Sequence, residues 1–227
     1  MTQGAPWRRI TEFAVPMLLG NLAQQLYNTV DSIVVGKYVG DNALAAVGSA
    51  APILNLLLAL FVGVATGAGI VISQRFGAGD RKGLSRAIGN CLTLATIASL
   101  GTMLIGVLIT RPLLEFLDTP VSILQWCTDY LHIFFLGAAG FTFYNILSGI
   151  LRGMGDSVSA LLFLLVAAAL NTALDLWFVA GLGMGVAGVS LATVIAQAIS
   201  AFLKIDLQAA GQAYKQKGGE RNVQKFF

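Results

Sequence analysis

The chain has 227 residues, of which 56% are hydrophobic and only 11% carry a charged side chain. Soluble domains carry about 25% charged residues, so this composition excludes a water-soluble globular protein. The formal net charge of +3 does not indicate nucleic acid as a partner, because the basic residues flank apolar segments instead of forming a solvated patch.

Six apolar runs, each long enough to cross a bilayer, predict an all-α, polytopic membrane protein with six transmembrane helices. They make up one transmembrane region, residues 13–203, which follows an N-terminal segment of residues 1–12. Residues 204–227 form a polar tail that we expect to be exposed and poorly ordered. A long amphipathic connection, residues 111–129, is expected before the fourth span. The predicted spans are residues 13–35, 43–72, 88–109, 130–151, 158–179 and 186–203.

The distribution of basic residues predicts the orientation of these spans. Of the 14 Lys and Arg residues, only Lys37 and Arg111 fall in loops on the side opposite the N-terminus. Cytoplasmic loops of membrane proteins carry an excess of Lys and Arg, so both termini are predicted to lie in the cytoplasm.

The first span carries a single acid, Asp31, within an otherwise apolar run. Tyr27 and Gln24 precede it by four and seven positions, so the three side chains share one face of a helix. An acid inside a span costs roughly 2.5–3.5 kcal/mol on insertion scales, so Asp31 is expected to face a protein interior or a water-filled cavity. A polar stripe of this kind on an apolar helix is typical of a membrane transport pathway.

The fifth span carries the second acid that lies well inside an apolar run, Asp175, with Asn171 one turn before it. One interpretation is that both acids are protonated groups that hydrogen-bond to neighbouring helices. No Lys or Arg lies inside any predicted span, which favours a second interpretation, that a species from outside neutralises the acids. A proton, Na⁺ and a cationic substrate all fit this role, because burial favours the protonated form of a carboxylate and oxygen ligands suit hard cations.

The remaining polar residues are weaker candidates. Thr193 and Gln197 share a face of the sixth span and indicate hydrogen bonds between helices. Tyr130 is interpreted as a residue of the interfacial aromatic belt or of the packing. Cys91 and Cys127 are interpreted as packing residues, and no metal is expected. No constellation of nucleophile and base appears in the sequence, so we do not expect an enzyme.

Two further features concern helix packing. Gly63, Gly67 and Gly69 in the second span form a face of small residues that predicts close contact with another helix. His132, near the outer end of the fourth span, is interpreted as a packing residue rather than as a proton relay.

Several motifs resemble the MATE (multidrug and toxic compound extrusion) family in order and spacing, over about residues 8–203. The longest is the first span, Pro16–Gly36, with the run Gln24-Gln25-Leu26-Tyr27-Asn28-Thr29-Val30-Asp31 at its centre. The others are residues 43–48, 74–80, 144–153, 155–157 and 185–193. Taken together, these motifs are nearest to the bacterial multidrug branch that includes the DinF-like and MepA-like proteins.

The resemblance implies a cation-coupled exporter of the bacterial inner (plasma) membrane, in which entry of H⁺ or Na⁺ drives efflux of drugs that are often cationic and amphipathic. It implies no cofactor beyond the coupling ion. The family's N-terminal lobe builds its cation site from an acid in the first helix, an Asn and an acid in the fifth, and a Thr in the sixth. These positions fall here on Asp31, Asn171, Asp175 and Thr193. Tyr27 and Gln24 match residues on the cavity side of the first helix.

The family's transporters have twelve helices in two lobes, and the resemblance here covers the N-terminal six-helix lobe only. Alternating access requires two halves that move against each other. We therefore expect the chain alone to be an incomplete antiporter unless a C-terminal lobe or a second copy completes it. A non-transporting truncated membrane fragment is one alternative. A flippase of lipid-linked substrates is another, although its cavity would need Arg residues for phosphates and the predicted spans contain none.

Overall fold

The computed structural model describes the backbone of residues 6–217 and the side chains of residues 7–8 and 10–205. This part of the chain is built from α-helices, with one π-helical segment and no strand, so the predicted all-α fold is confirmed. The helices are α1 Pro6–Tyr38, α2 Asp41–Gly77, α3 Arg81–Phe116, α4 Val121–Leu136, α5 Ala138–Gly153, α6 Ser157–Asp175, the π-helical segment Leu176–Gly181 and α7 Gly185–Lys217.

Four helices in the described part of the chain are long and apolar enough to cross a membrane. The pair α4 and α5, bent by 54° at its break, makes a fifth span if it crosses as one unit. The helix α1 is not among them, because polar residues such as Gln25 and Asn28 lower its mean hydropathy. Length and composition therefore support four or five spans, against the six that the sequence predicts. The four are Asp41–Gly77, Arg81–Phe116, Ser157–Gly181 and Gly185–Ile205.

The predicted connection over residues 111–129 is wrong, because α3 continues to Phe116 and α4 begins at Val121. The helix α3 accommodates Pro112 in its interior, and Pro120 stands at the N-cap of α4, where a proline leaves no helical hydrogen bond unmade. The predicted fourth span, residues 130–151, is likewise broken at Gly137.

Gly-Asp pairs form two of the turns between helices. Gly79 and Gly155 adopt left-handed φ angles of 67° and 89°, which a residue with a Cβ rarely adopts. The next residue of each pair is the N-cap of the following helix. Asp80 accepts a hydrogen bond from the amide of Gly83, and Asp156 accepts one from the amide of Ser159, each at 2.9 Å. These caps fix the start of α3 and of α6.

The helices α2 and α5 approach each other through small residues. A Cβ built on Gly69 would lie 3.0 Å from the carbonyl oxygen of Gly149, and one built on Gly149 would overlap the carbonyl of Ala65. The predicted close contact is therefore confirmed at Gly69. It is wrong for Gly63 and Gly67, where an added Cβ would meet no atom within 4 Å.

Lys204 does not belong to an exposed tail, because its side chain is fully buried. Its ammonium donates hydrogen bonds to the carbonyl oxygen of Tyr144, at 3.3 Å, and to Oγ of Ser148. It also lies 3.5 Å from the centroid of the Tyr144 ring, and these contacts replace the water that the charge loses. The predicted tail is wrong in this respect, and α7 continues as a helix to Lys217. The rest of the predicted tail, residues 218–227, lies outside the described residues.

Candidate functional site

The candidate site lies where α1, α6 and α7 pack together. Tyr27 and Asp31 are one turn apart on α1, Asn171 and Asp175 are one turn apart on α6, and Thr193 lies on α7. Asn171 and Asp175 are fully buried, and Tyr27 and Thr193 expose less than a tenth of their surface. The structure therefore brings together all four residues of the predicted cation site, and it places Tyr27 among them.

Thr193 joins the three helices through hydrogen bonds. Its Oγ1 accepts one from the hydroxyl of Tyr27, at 3.1 Å, and a second from Nδ2 of Asn171, at 3.2 Å. The hydrogen bond that the sequence predicts for Thr193 is confirmed. Because both donors are buried, the threonine hydroxyl satisfies two groups that would otherwise be costly to hold inside the protein.

The acceptor oxygens at the centre of the site have no donor. Oδ1 of Asp31, Oδ1 of Asn171 and both carboxylate oxygens of Asp175 are buried without a hydrogen-bond partner in the described part of the chain. The carboxyl groups of Asp31 and Asp175 lie close enough for one to donate a hydrogen bond to the other, but only if one of them carries a proton. Buried acceptors without donors are rare in folded proteins, and each such group calls for an explanation.

No basic side chain in the described ranges forms an ion pair with Asp31 or Asp175. The ion pairs of the described residues lie instead at or near helix ends, and their side chains are exposed. They are Arg8–Glu12, Arg75–Asp80 and Arg111–Glu115. The charge of the two buried acids is therefore not balanced by a Lys or Arg of this part of the protein.

Tyr130, on α4, lies near the two acids, which the sequence does not predict. It is buried in the core, and its hydroxyl lies within electrostatic range of both Asp31 and Asp175. Its interpretation as part of an interfacial aromatic belt is wrong, whereas the packing interpretation holds. Nothing local in the sequence marks it, because its neighbours in the site come from other helices.

Two glutamines that the sequence singles out, Gln24 and Gln197, lie outside the hydrogen-bonded group. Gln24 is half-buried on α1, seven positions before Asp31, and makes no hydrogen bond among the described residues. Gln197, one turn after Thr193, has a buried Oε1 without a donor. The predicted hydrogen bond between helices is therefore not formed by this oxygen.

His132 contacts the carbonyl oxygen of Val107 at 3.1 Å, which confirms its packing role between α4 and α3.

The backbone changes its helical pitch directly after Asp175. The α-helical part of α6 ends at this residue, and the wider π-helical turn begins at Leu176. Two side chains of the π-helical turn, Phe178 and Val179, are buried. Single π-helical turns occur frequently at functional sites, and this one directly follows Asp175.

The atoms of this site that could coordinate a cation are all oxygens. Carboxylate, amide and hydroxyl oxygens suit a proton or a hard cation rather than a soft transition metal. The described residues also contain no group of three His, Cys, Asp or Glu side chains that could hold a metal ion. The residues present therefore fit a proton or a hard cation such as Na⁺.

A profile of the family described as MatE matches residues 16–177, well over half of the chain. The chain belongs to the MatE family. Members of this family are membrane transporters rather than enzymes, so the family predicted from the sequence is confirmed, together with the class of protein.

Known relatives agree with this assignment. The probable multidrug resistance protein YpnP of Bacillus subtilis is 34% identical over 199 residues, which cover 88% of this chain and 45% of that protein. The DNA damage-inducible protein F of Escherichia coli is 30% identical over 195 residues, which cover 84% of this chain and 41% of that protein. This MatE chain spans less than half the length of these two relatives.

The fold agrees with that of solved transporters. The outward-facing conformation of a multidrug resistance MATE family transporter of the MOP superfamily matches with a TM-score of 0.83 and 29% identity. The match covers 93% of this chain and 45% of the solved chain. A single lobe of a MATE transporter is therefore the part of the fold that these residues form.

Proposed function

We propose that this MatE chain is the N-terminal lobe of a cation-coupled multidrug efflux antiporter and that it carries the binding site for the coupling ion, H⁺ or Na⁺. The supporting observation is the group of buried acceptor oxygens of Asp31, Asn171 and Asp175, which have no donor and no basic partner among the described residues. A cation or a proton would satisfy these oxygens at the point where three helices meet.

The proposed substrates are small drugs that are cationic and amphipathic. Relatives such as YpnP carry the name of multidrug resistance proteins, which supports drugs as the class of substrate. The two unbalanced carboxylates support a positive charge on the drug. A flippase of anionic lipid-linked substrates fits this site less well, because the site presents acids where such a substrate would need bases.

The proposed coupling is competition for negative charge. In the outward-facing state, H⁺ or Na⁺ reaches Asp31 and Asp175 and neutralises them, which removes their attraction for the cationic drug. Thr193 then transmits the change to α7, because its hydroxyl joins α1 and α6 to that helix. A ligand shifts such an equilibrium only by the difference in its affinity for the two states, so coupling requires that drug and cation bind different states best.

A second lobe is the proposed partner. The chain covers 45% of YpnP, and alternating access needs two halves that move against each other. The partner is a C-terminal lobe or a second copy of this chain. The bases on the N-terminal side of the membrane support cytoplasmic termini in a bacterial inner membrane.

Dye transport tests the proposal. Proteoliposomes containing the chain, with and without a C-terminal lobe expressed beside it, would receive a Na⁺ or pH gradient and the cationic dye ethidium. We expect gradient-driven dye movement that Asp31→Asn and Asp175→Asn each reduce at least tenfold. Asp118→Asn, in an exposed turn, is the matched control. Full transport by both site variants would remove the two acids from the mechanism.

A further inference from the structure

A groove between α2 and α3 lies apart from the cation site. Its volume is about 560 Å³, and Ile146 of α5 is part of its lining. One end is lined by the polar side chains of Arg75, Lys82 and Arg86, next to the turn that joins the two helices. Both helices are long and apolar enough to cross a membrane, so this turn lies at a membrane edge.

The groove changes from basic to apolar along its length. On α3 its lining residues follow one face of the helix at intervals of four, from Lys82 through Arg86 and Asn90 to Leu94. On α2 the lining runs in the opposite direction, from Arg75 to apolar residues such as Val64. The polarity gradient therefore runs along the helices, in the direction from the membrane edge towards the membrane interior.

The basic end carries a charge that the protein does not balance. The one acid in the lining, Asp80, already pairs with Arg75 at 3.1 Å and caps the amide of Gly83 at 2.9 Å. Neither Lys82 nor Arg86 belongs to an ion pair among the described residues. Two positive charges one turn apart thus face the groove without a partner, and they suit the phosphate of an anionic ligand.

The structure assigns this groove, independently of the cation site, to an anionic glycerophospholipid. Its phosphate contacts Lys82 and Arg86, and one acyl chain lies along the apolar part. A soluble anion would use the basic end but not the apolar walls, whereas a lipid uses both. Basic pockets between transmembrane helices are a known way of binding anionic headgroups.

Two residues of the lining make the assignment testable. Gly67 lies beside open space, because an added Cβ there would meet no atom within 4 Å. The Cβ of a larger side chain at this position therefore meets no packed atom of a neighbouring helix. Cys91 also belongs to the lining, and Cys127, the second cysteine of the chain, is fully buried. Alkylation of Cys91 thus reports on the groove.

The test uses the purified chain in detergent micelles with added phosphatidylglycerol or phosphatidylcholine. Native mass spectrometry counts bound lipid, and the rate of Cys91 alkylation by N-ethylmaleimide measures protection. We expect phosphatidylglycerol to bind roughly 30-fold more tightly than phosphatidylcholine, because each of the two bases contributes about 1 kcal/mol near an anionic headgroup and about 1.4 kcal/mol corresponds to a factor of ten. We also expect it to slow the alkylation of Cys91.

Matched variants separate charge from shape. The double variant Lys82→Gln/Arg86→Gln should lose the preference for phosphatidylglycerol, whereas Arg111→Gln, at the opposite end of α3, should keep it. Gly67→Phe should abolish the tight binding, and Gly101→Phe, which also meets open space but does not line the groove, should not.

Three results would overturn the assignment. The first is equal binding of the two lipids by the unmodified chain. The second is an unchanged lipid preference in the Lys82→Gln/Arg86→Gln variant. The third is protection of Cys91 by inorganic phosphate as strong as that by phosphatidylglycerol, which would assign the basic end to a soluble anion.

Discussion

Nδ2 of Asn171 donates a hydrogen bond to Oγ1 of Thr193 at 3.2 Å, and the amide oxygen of Asn171 is left buried and without a donor. One hydrogen bond thus fixes which end of the amide is available as a ligand. Since Asp175 follows Asn171 by one turn of α6, the orphaned amide oxygen lies on the same helix face as the orphaned carboxylate.

The first prediction concerns this hydrogen bond. Thr193→Val keeps the shape of the side chain but removes the acceptor shared by Tyr27 and Asn171. Each buried donor left unpaired costs about 1–3 kcal/mol. We expect the free energy of unfolding, measured by SDS titration in mixed micelles, to fall by at least about 2 kcal/mol.

Thr193→Ser is the control, because it retains the hydroxyl and loses one methyl group. It should cost only about 0.8 kcal/mol, the usual value for one buried methylene. If valine and serine destabilised the chain equally, the methyl group rather than the shared acceptor would be the important part of Thr193.

The second prediction concerns the coupling ion. A ligand that binds only the folded chain stabilises it by about 2.7 kcal/mol at 100 times its dissociation constant. Replacing choline by Na⁺ at constant ionic strength, or lowering the pH, should therefore raise the melting temperature of the purified chain. The response should disappear in Asp175→Asn, because the variant lacks one of the two buried charges.

Asp118→Asn is again the matched variant, since this acid is exposed and lies outside the site. It should respond to the ion like the unmodified chain. If the melting temperature of the unmodified chain changed with neither Na⁺ nor pH, this would contradict the presence of a cation site in this lobe.

The acids of the site could be predicted from the sequence because an acid inside an apolar run is a rare local signal. Asp31 and Asp175 needed no knowledge of their neighbours to be singled out. Thr193 became a candidate for the cation site only through the family resemblance, since a Thr in an apolar helix is common. Tyr130 could not be found, because its place beside the acids depends on how α4 packs against other helices.

The helix boundaries that the sequence missed also have physical reasons. Gly137 interrupts the predicted fourth span, but a glycine in an apolar helix does not by itself predict a bend. The need for a glycine there is visible only in the tertiary structure, because a Cβ would overlap the side chain of Val194 on α7. Lys204 stands at the edge of the last apolar run, where sequence cannot distinguish a lysine that reaches water from one that is buried.

The third prediction concerns the buried lysine. Lys204→Met keeps most of the side-chain volume and removes a buried charge. Ser148 still donates its hydroxyl to the carbonyl oxygen of Tyr144 at 2.8 Å, so no new unpaired donor appears. Replacement of buried ionic groups by apolar ones of similar volume is often neutral or stabilising. We expect a melting temperature equal to or above that of the unmodified chain.

Lys204→Ala should behave differently, because it leaves a cavity beneath Tyr144 and Phe163. Truncation of a long buried side chain to alanine costs about 2–5 kcal/mol. If methionine and alanine lowered the melting temperature equally, the hydrogen bonds of the ammonium would contribute more to stability than its desolvation costs.

The fourth prediction concerns the close approach of α2 and α5. Alanine in a helix interior is favoured over glycine by about 0.5–1 kcal/mol, so Gly→Ala stabilises a helix wherever the methyl group fits. At Gly63, where an added Cβ meets open space, the substitution should stabilise the chain by about that amount. At Gly149 the methyl group would overlap the backbone carbonyl of Ala65, and neither helix can yield without losing contacts along its length.

Gly149→Ala should therefore destabilise the chain by about 1–3 kcal/mol, the usual cost of overpacking, despite its better helix propensity. Melting curves of the two variants, recorded in the same detergent, measure the opposite signs directly. Equal stabilisation by both substitutions would mean that α2 and α5 separate easily. The small residues at their contact would then not set the distance between the two helices.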